Sequence, residues 1–343
     1  MFQPTGLDTD QWARALRDGG FKLAITSPSS FPRRLRPAYH ASRYTNHTVA
    51  YSSWRAGQGD VLRSFCADSY ATVAWPLKAG GLHSRPPTRA QYLHGVYANG
   101  SARATRTIPT LVEGDDRTPD AFSALDPHAT DYGAHMLNTL YEVLTEYGPI
   151  DEVWFGGAQG RIPPGQVEDY DWNSWYTLVR SLAPDAAIAV TGPDVRWVGN
   201  EGGTAREDEW SVLPVKEEQY GRTDWALSYD TPDEGSRGAL VAAQPNTDYP
   251  TCGGRAECDV SIHDGWFYHP GQSPRKSVDE LIDIYFGSVG RNAVLLLNVP
   301  PDTDGLLADP DAARLREFRE RVDRELPEDL ATRSPDGHFA GAG

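Results

Sequence analysis

Ile150-Asp-Glu-Val-Trp-Phe-Gly-Gly-Ala-Gln-Gly160 is a short apolar run that ends in a glycine-rich turn. Val153, Trp154 and Phe155 are apolar and β-prone, as expected of a strand buried on both faces. Gly156 and Gly157 then let the backbone leave the strand in a tight turn. On physics alone this is a strand and its exit. Its setting decides the fold.

Upstream, an amphipathic segment from Asp131 to Tyr147 stops at Gly148-Pro149. Downstream, Asp171 to Leu182 reads as a helix and Ala186 to Val190 as a strand. The same alternation extends both ways. Thr9 caps a helix running through Asp18 and ended by Gly19-Gly20, and Phe21 to Ile25 is a short strand. Gly59 to Ala67 reads as a helix. Ser277-Val-Asp-Glu280 is a capping box that opens a helix to about Val289, followed by the strand Ala293 to Val299. Asp309 caps a last helix with Pro310 at its first position. The polar, Gly-rich tail, 326–343, reads as disordered. Strand-helix alternation on this scale implies an α/β fold with a parallel sheet. No G-x-G-x-x-G follows a strand, so the sequence predicts a (β/α)8-type barrel rather than a dinucleotide fold.

Composition narrows the partners. The 343 residues include 48 acidic and 32 basic side chains, a net charge of −16 that would repel a phosphate backbone. Nucleic acid is therefore not an expected partner. The longest apolar run near the C-terminus, Ala293 to Leu297, is far too short to span a membrane, and no membrane partner is expected. Met1 to Gly6 has neither a charged n-region nor an apolar h-region, so no signal peptide is predicted. Cys66, Cys252 and Cys258 are too few for a disulfide framework; Cys252 and Cys258 either pair or stay free thiols. No His/Cys cluster has metal-ligand spacing, and no metal or cofactor is expected.

Read with its neighbours, the opening stretch resembles the nucleophile strand of the α-L-fucosidases of glycoside hydrolase family 29, where the pattern is W-F-D-G-A. Several other blocks resemble the α-1,3/1,4-selective branch of that family. They are Leu7 to Ile25, Ser42-Arg-Tyr-Thr45, Tyr92 to Gly100, Pro109 to Asp116, Arg196-Trp-Val-Gly-Asn-Glu-Gly202, Glu257 to Ile262 and Gly265-Trp-Phe-Tyr-His269. The resemblance implies a glycoside hydrolase barrel over residues 1–325 that acts on fucosylated oligosaccharides, in a family whose members are often secreted. A retaining glycosidase needs two carboxyl groups about 5–5.5 Å apart, one as nucleophile and one as acid then base. By resemblance these fall at position 156 and at Glu201, with Trp154, Glu257 and Trp266 as sugar-site residues.

The chain departs from the family in three places. Gly156 stands where the nucleophile Asp belongs. The K-H-H-D-G-F segment, whose histidines bind fucose, is replaced by Thr26 to Ala41. The chain also begins after the family's first barrel strand, so the expected barrel lacks that strand. The second departure has a reading in the genetic code. His-His-Asp-Gly-Phe-Val in C-ending codons, read two bases later, gives Pro-Arg-Arg-Leu-Arg, which is Pro32 to Arg36. Likewise the family's P-A-D-E, read one base later, gives Pro86-Pro-Thr-Arg89. Local frame shifts at 26–41 and 72–89 follow as an expectation that resequencing settles. Three functional readings come out of this: a retaining α-L-fucosidase, a fucoside-binding homologue without catalysis, and a fragment that does not fold.

Overall fold

The computed structural model describes residues 3–26, 39–45, 48–71, 78–84, 104–110, 127–155, 170–190, 194–214, 236–238, 241, 251–270 and 276–327. Position 156, most of the two altered segments, the blocks at 92–100 and 111–116, and the tail from 328 lie outside them.

Eleven strands are described: β1 (Leu23–Thr26), β2 (Lys78–Ser84), β3 (Ala104–Thr105), β4 (His128–Ala129), β5 (Glu152–Phe155), β6 (Ala187–Val190), β7 (Val195–Trp197), β8 (Val212–Pro214), β9 (Thr251–Gly253), β10 (Arg255–Ser261) and β11 (Ala293–Asn298). The helices are α1 (Thr9–Asp18), α2 (Val61–Ala71), α3 (Asp131–Glu146), α4 (Trp172–Leu182), α5 (Val278–Ser288) and α6 (Asp309–Glu325). Seven strands form one sheet in the order β1-β2-β5-β6-β7-β10-β11, and each adjacent pair is parallel. The pairs β3-β4 and β8-β9 are small antiparallel ladders outside it.

The sheet is curled, and its packing shows why. A flat seven-stranded sheet separates its edge strands by six spacings of about 4.8 Å, roughly 29 Å. Here Ile25 of β1 and Leu296 of β11 pack against one apolar cluster with Trp154, Ala189 and Val195. Outside, α1 ties the same two edges together. The Trp12 indole N–H donates to the Gly305 carbonyl at 3.0 Å, and the Gln11 amide bridges both backbone polar groups of Leu307. The expected parallel α/β sheet is therefore present. Among the described residues it has seven strands, with no ladder joining β11 to β1.

Period-two alternation sorts each strand into two faces. Val153 and Phe155 of β5 and Ile188 of β6 pack outward against α3 and α4, with Leu137, Leu140, Trp175 and Tyr176. Trp154, Ala189, Val195 and Leu296 face inward. Both faces are covered, which is why β5 reads as a continuous apolar run.

Two helix caps differ by one residue from the sequence reading. Asp8, not Thr9, caps α1, its carboxylate accepting from the Gln11 N–H at 2.9 Å. Asp is as good a cap as Thr, and the Asp8 backbone is extended as a cap requires. Ala308 rather than Asp309 precedes α6, so Pro310 sits one position deeper in the first turn, where its missing N–H still costs no helix bond. The capping box at Ser277 and Glu280 forms as read. Cys258 is a free, buried thiol, which excludes the Cys252–Cys258 pairing.

Candidate active site

β10 carries the polar interior. Its alternate residues Glu257, Asp259 and Ser261 rise one above another toward the C-terminal ends of the strands, while Ala256 and Cys258 join the outer cluster with Val198 and Ala293. Each of the two carboxyls meets an indole from another strand. The Trp154 Nε1–H donates to Glu257 Oε1, and the Trp197 Nε1–H donates to Asp259 Oδ1 at 2.6 Å. At the strand ends the Ser261 hydroxyl donates to the Gly265 carbonyl at 2.8 Å. The Asn298 amide donates to Ser261 Oγ and to the Trp266 carbonyl. The Trp266 indole, placed by this brace, donates to Glu201 Oε2 at 3.1 Å.

The fold thus brings Glu201 and Trp266 together at the mouth and puts Trp154 and Glu257 together deeper inside. Glu257 is 1% exposed and reaches Trp154 rather than the mouth. Sequence reasoning missed three members of the interior: Glu152, Trp197 and Asp259. The signal was present, since polar residues at alternate positions of a doubly buried strand must face something polar.

Glu201 stands on a self-braced loop. The Gly202 N–H donates to Asn200 Oδ1 at 3.0 Å, and the Asn200 amide donates to the Thr204 carbonyl at 2.9 Å. Gly203 threads between β10 and α5 with φ +70°, its N–H donating to the Asp259 carbonyl at 3.1 Å. A Cβ there would lie 2.8 Å from Ile284 Cγ2 and 2.9 Å from Val260 Cγ1. Gly203→Ala is expected to cost about 1–3 kcal/mol, from positive φ and the clash together. Thermal unfolding measures it; an unchanged midpoint would contradict this packing.

The interior carboxyls are electrostatically unusual. Burial pushes Glu257 well above the ordinary carboxylate range, and the adjacent Glu152 raises it further against the opposing Trp154 hydrogen bond. Burial also raises Glu152 to about 7, while its hydrogen bond with Glu257 pulls the other way. Asp259 is raised by burial, opposed by the Trp197 hydrogen bond and helped by the charge of Glu201. For Glu152 the sign of the linkage is fixed. Its folded value lies above its unfolded 4.5, so its contribution is complete below about 4.5 and is lost as pH rises to about 7. Glu152→Gln should therefore remove part of a stability loss between about pH 5 and about pH 8, on the order of 3 kcal/mol in the wild type. Urea unfolding of both proteins at the two pH values tests this; parallel pH profiles would contradict it.

Comparison with known proteins accords with this geometry. The alpha-L-fucosidase family profile matches residues 1–323. Alpha-L-fucosidase 1 of Arabidopsis thaliana is 32% identical over 338 residues, 97% of this chain and 55% of the relative. The chain spans about half the length of the curated relatives it matches. A Bacteroides ovatus crystal structure assigned as an alpha-L-fucosidase has 31% identity and a TM-score of 0.69, over 94% of this chain and 49% of that one. A mutant GH29 fucosidase of Ruminococcus gnavus, solved in complex with fucose, has 25% identity and a TM-score of 0.71, over 96% and 60%.

Proposed function

This chain belongs to the alpha-L-fucosidase family, and from that premise we propose that its site takes a terminal α-L-fucosyl group of an oligosaccharide, in α-1,3 or α-1,4 linkage. The observation that carries the reading is the Glu201 carboxylate, held by the Trp266 indole at the C-terminal ends of a curled parallel sheet. Catalytic groups of such sheets stand at that end. In this reading Glu201 is the general acid/base and protonates the leaving glycosidic oxygen. Trp154, Glu257 and Trp266 form the sugar site, Glu257 acting through Trp154. Residues 1–325 are one catalytic unit, a (β/α)8-type barrel, and 326–343 are a tail.

Position 156 is where the family's nucleophile belongs, and a glycine there offers no carboxylate. Gly156 therefore favours a second reading, a protein that binds the fucoside and does not complete a double displacement. Azide separates the two. An aryl α-L-fucoside is incubated with purified protein and increasing azide, and the product is examined by NMR. Azide attacks the anomeric carbon from the β face, the C1–O bond breaks, and the aryloxide leaves. A saturable rate increase with β-fucosyl azide as product supports the site as assigned. No binding of L-fucose and no azide product, in a protein that unfolds in one cooperative transition, would overturn the proposal. The absence of such a transition would favour the non-folding fragment instead.

A further inference from the structure

Glu152 sits on β5 and Glu257 on β10, with β6 and β7 between them in the sheet. They meet only because the sheet is curled. Both are more than nine-tenths buried, and Glu152 Oε1 has no partner among the described residues. Among the described residues the apolar side chains of this interior include Ile25, Ala187, Ala189, Val195, Trp197 and Leu296. Among the described residues the charged groups bearing on the pair are the two glutamates themselves and Asp259 one layer above, with Glu201 beyond it. Among the described residues no cation acts on either glutamate. Two carboxylates side by side in such a place would repel strongly and go unsolvated. A single proton between them turns that repulsion into a charge-assisted hydrogen bond.

We propose that Glu257 stands in this site as a neutral carboxylic acid that accepts the Trp154 indole N–H with one oxygen and donates its own proton with the other to Glu152, making Glu152 and Glu257 positioning residues for the indole. The geometry specifies the direction. The indole has only a donor to offer, so it occupies one Glu257 oxygen as acceptor. The Glu257 side chain also contacts that of Glu152, and this carboxyl–carboxyl contact is a hydrogen bond only if a proton lies in it; with one Glu257 oxygen taken by the indole, the other is left to carry that proton. Glu257 carrying that proton leaves Glu152 as the anion, its second oxygen open. An acid buried without a cation stays protonated at a pH where surface carboxyls are fully ionised. The consequence for function rests on the fucosidase reading: the relay fixes the indole two residues before position 156, on the face of β5 that looks into the sheet interior.

The test uses the full chain and has one readout that does not depend on fucose. Infrared spectra at about pH 8 should show the carbonyl band of an un-ionised carboxylic acid in the wild type, lost in Glu257→Gln. In indole-¹⁵N-labelled protein, the Trp154 Nε1–H resonance (assigned with Trp154→Phe) should keep its hydrogen-bonded position in Glu257→Gln, whose amide can make both bonds. Glu152→Leu should shift it, and Glu152→Gln should restore it. Loss of a charge-assisted bond behind the indole should weaken L-fucose binding in Glu152→Leu by about tenfold, with recovery in Glu152→Gln. A wild type without the acid band, or a resonance that ignores Glu152→Leu in a folded protein, would overturn the relay. If band and resonance behave as stated while L-fucose binds no variant, the relay stands and the fucosidase reading fails.

Discussion

With position 156 as the nucleophile site, as proposed, Gly156→Asp is expected to raise hydrolysis of an aryl α-L-fucoside on the order of 10⁵-fold over the chain as it stands, because it would supply the carboxylate for the covalent step. The acid/base candidate has its loop, its indole partner and its place at the strand ends. The interior below it is filled and hydrogen-bonded. On the proposed reading, binding and protonation without a nucleophile would leave only the slow background reaction. Losing such a group costs many kcal/mol of transition-state stabilisation, whatever else remains. Steady-state rates of the two proteins on the same substrate, with product stereochemistry, measure the effect. Ordinary turnover by the Gly156 chain, unchanged by the substitution, would mean that another carboxylate attacks. Asp259 would then be the first to examine, since it faces inward from β10 and lies near enough to Glu201 to feel its charge.

Much of this was legible in the chain, and the misses have a common cause. β5 announced itself by Val153-Trp-Phe155 because both of its faces are covered, one by α3 and α4 and one by the sheet interior. The helices from Asp131, Trp172 and Val278 followed from caps and apolar spacing, signals that are local. Glu201, Trp154, Glu257 and Trp266 came from resemblance, and no spacing rule would have gathered them from three distant segments. Glu152 escaped notice because a polar residue opening a strand usually faces solvent. Its burial depends on curvature, which brings β5 and β10 together across two intervening strands. Trp197 and Asp259 were missed for the same reason, since their hydrogen bond joins residues 62 positions apart. β2 was illegible because Lys78-Ala-Gly-Gly-Leu-His-Ser84 has two glycines and little β propensity; its place between β1 and β5 comes from the sheet around it. Local chemistry marks elements and their ends; the pairing of side chains across a curled interior is a property of the closed shape.

In the restored Gly156→Asp protein, Glu201→Gln should cut hydrolysis of natural fucosides by about 10²–10⁴-fold while costing far less on an aryl fucoside in the glycosylation step. A sugar alkoxide is a poor leaving group and needs a proton as the C1–O bond breaks. An aryloxide with electron-withdrawing substituents departs without one. Glutamine keeps the shape and can still accept the Trp266 N–H through its amide oxygen, so the loop and its indole partner should stay in place. What it cannot do is give up a proton to the leaving oxygen or remove one from water. The discriminating quantity is the ratio of the two losses. A residue that merely shapes the mouth would lower both substrates alike, through binding. A large loss on the natural substrate, a small one in the aryl glycosylation step, and slow breakdown of the covalent intermediate together assign the proton to Glu201. Equal, small losses on both substrates would assign it elsewhere, and the Trp266–Glu201 contact would then be a brace for the mouth rather than part of the chemistry.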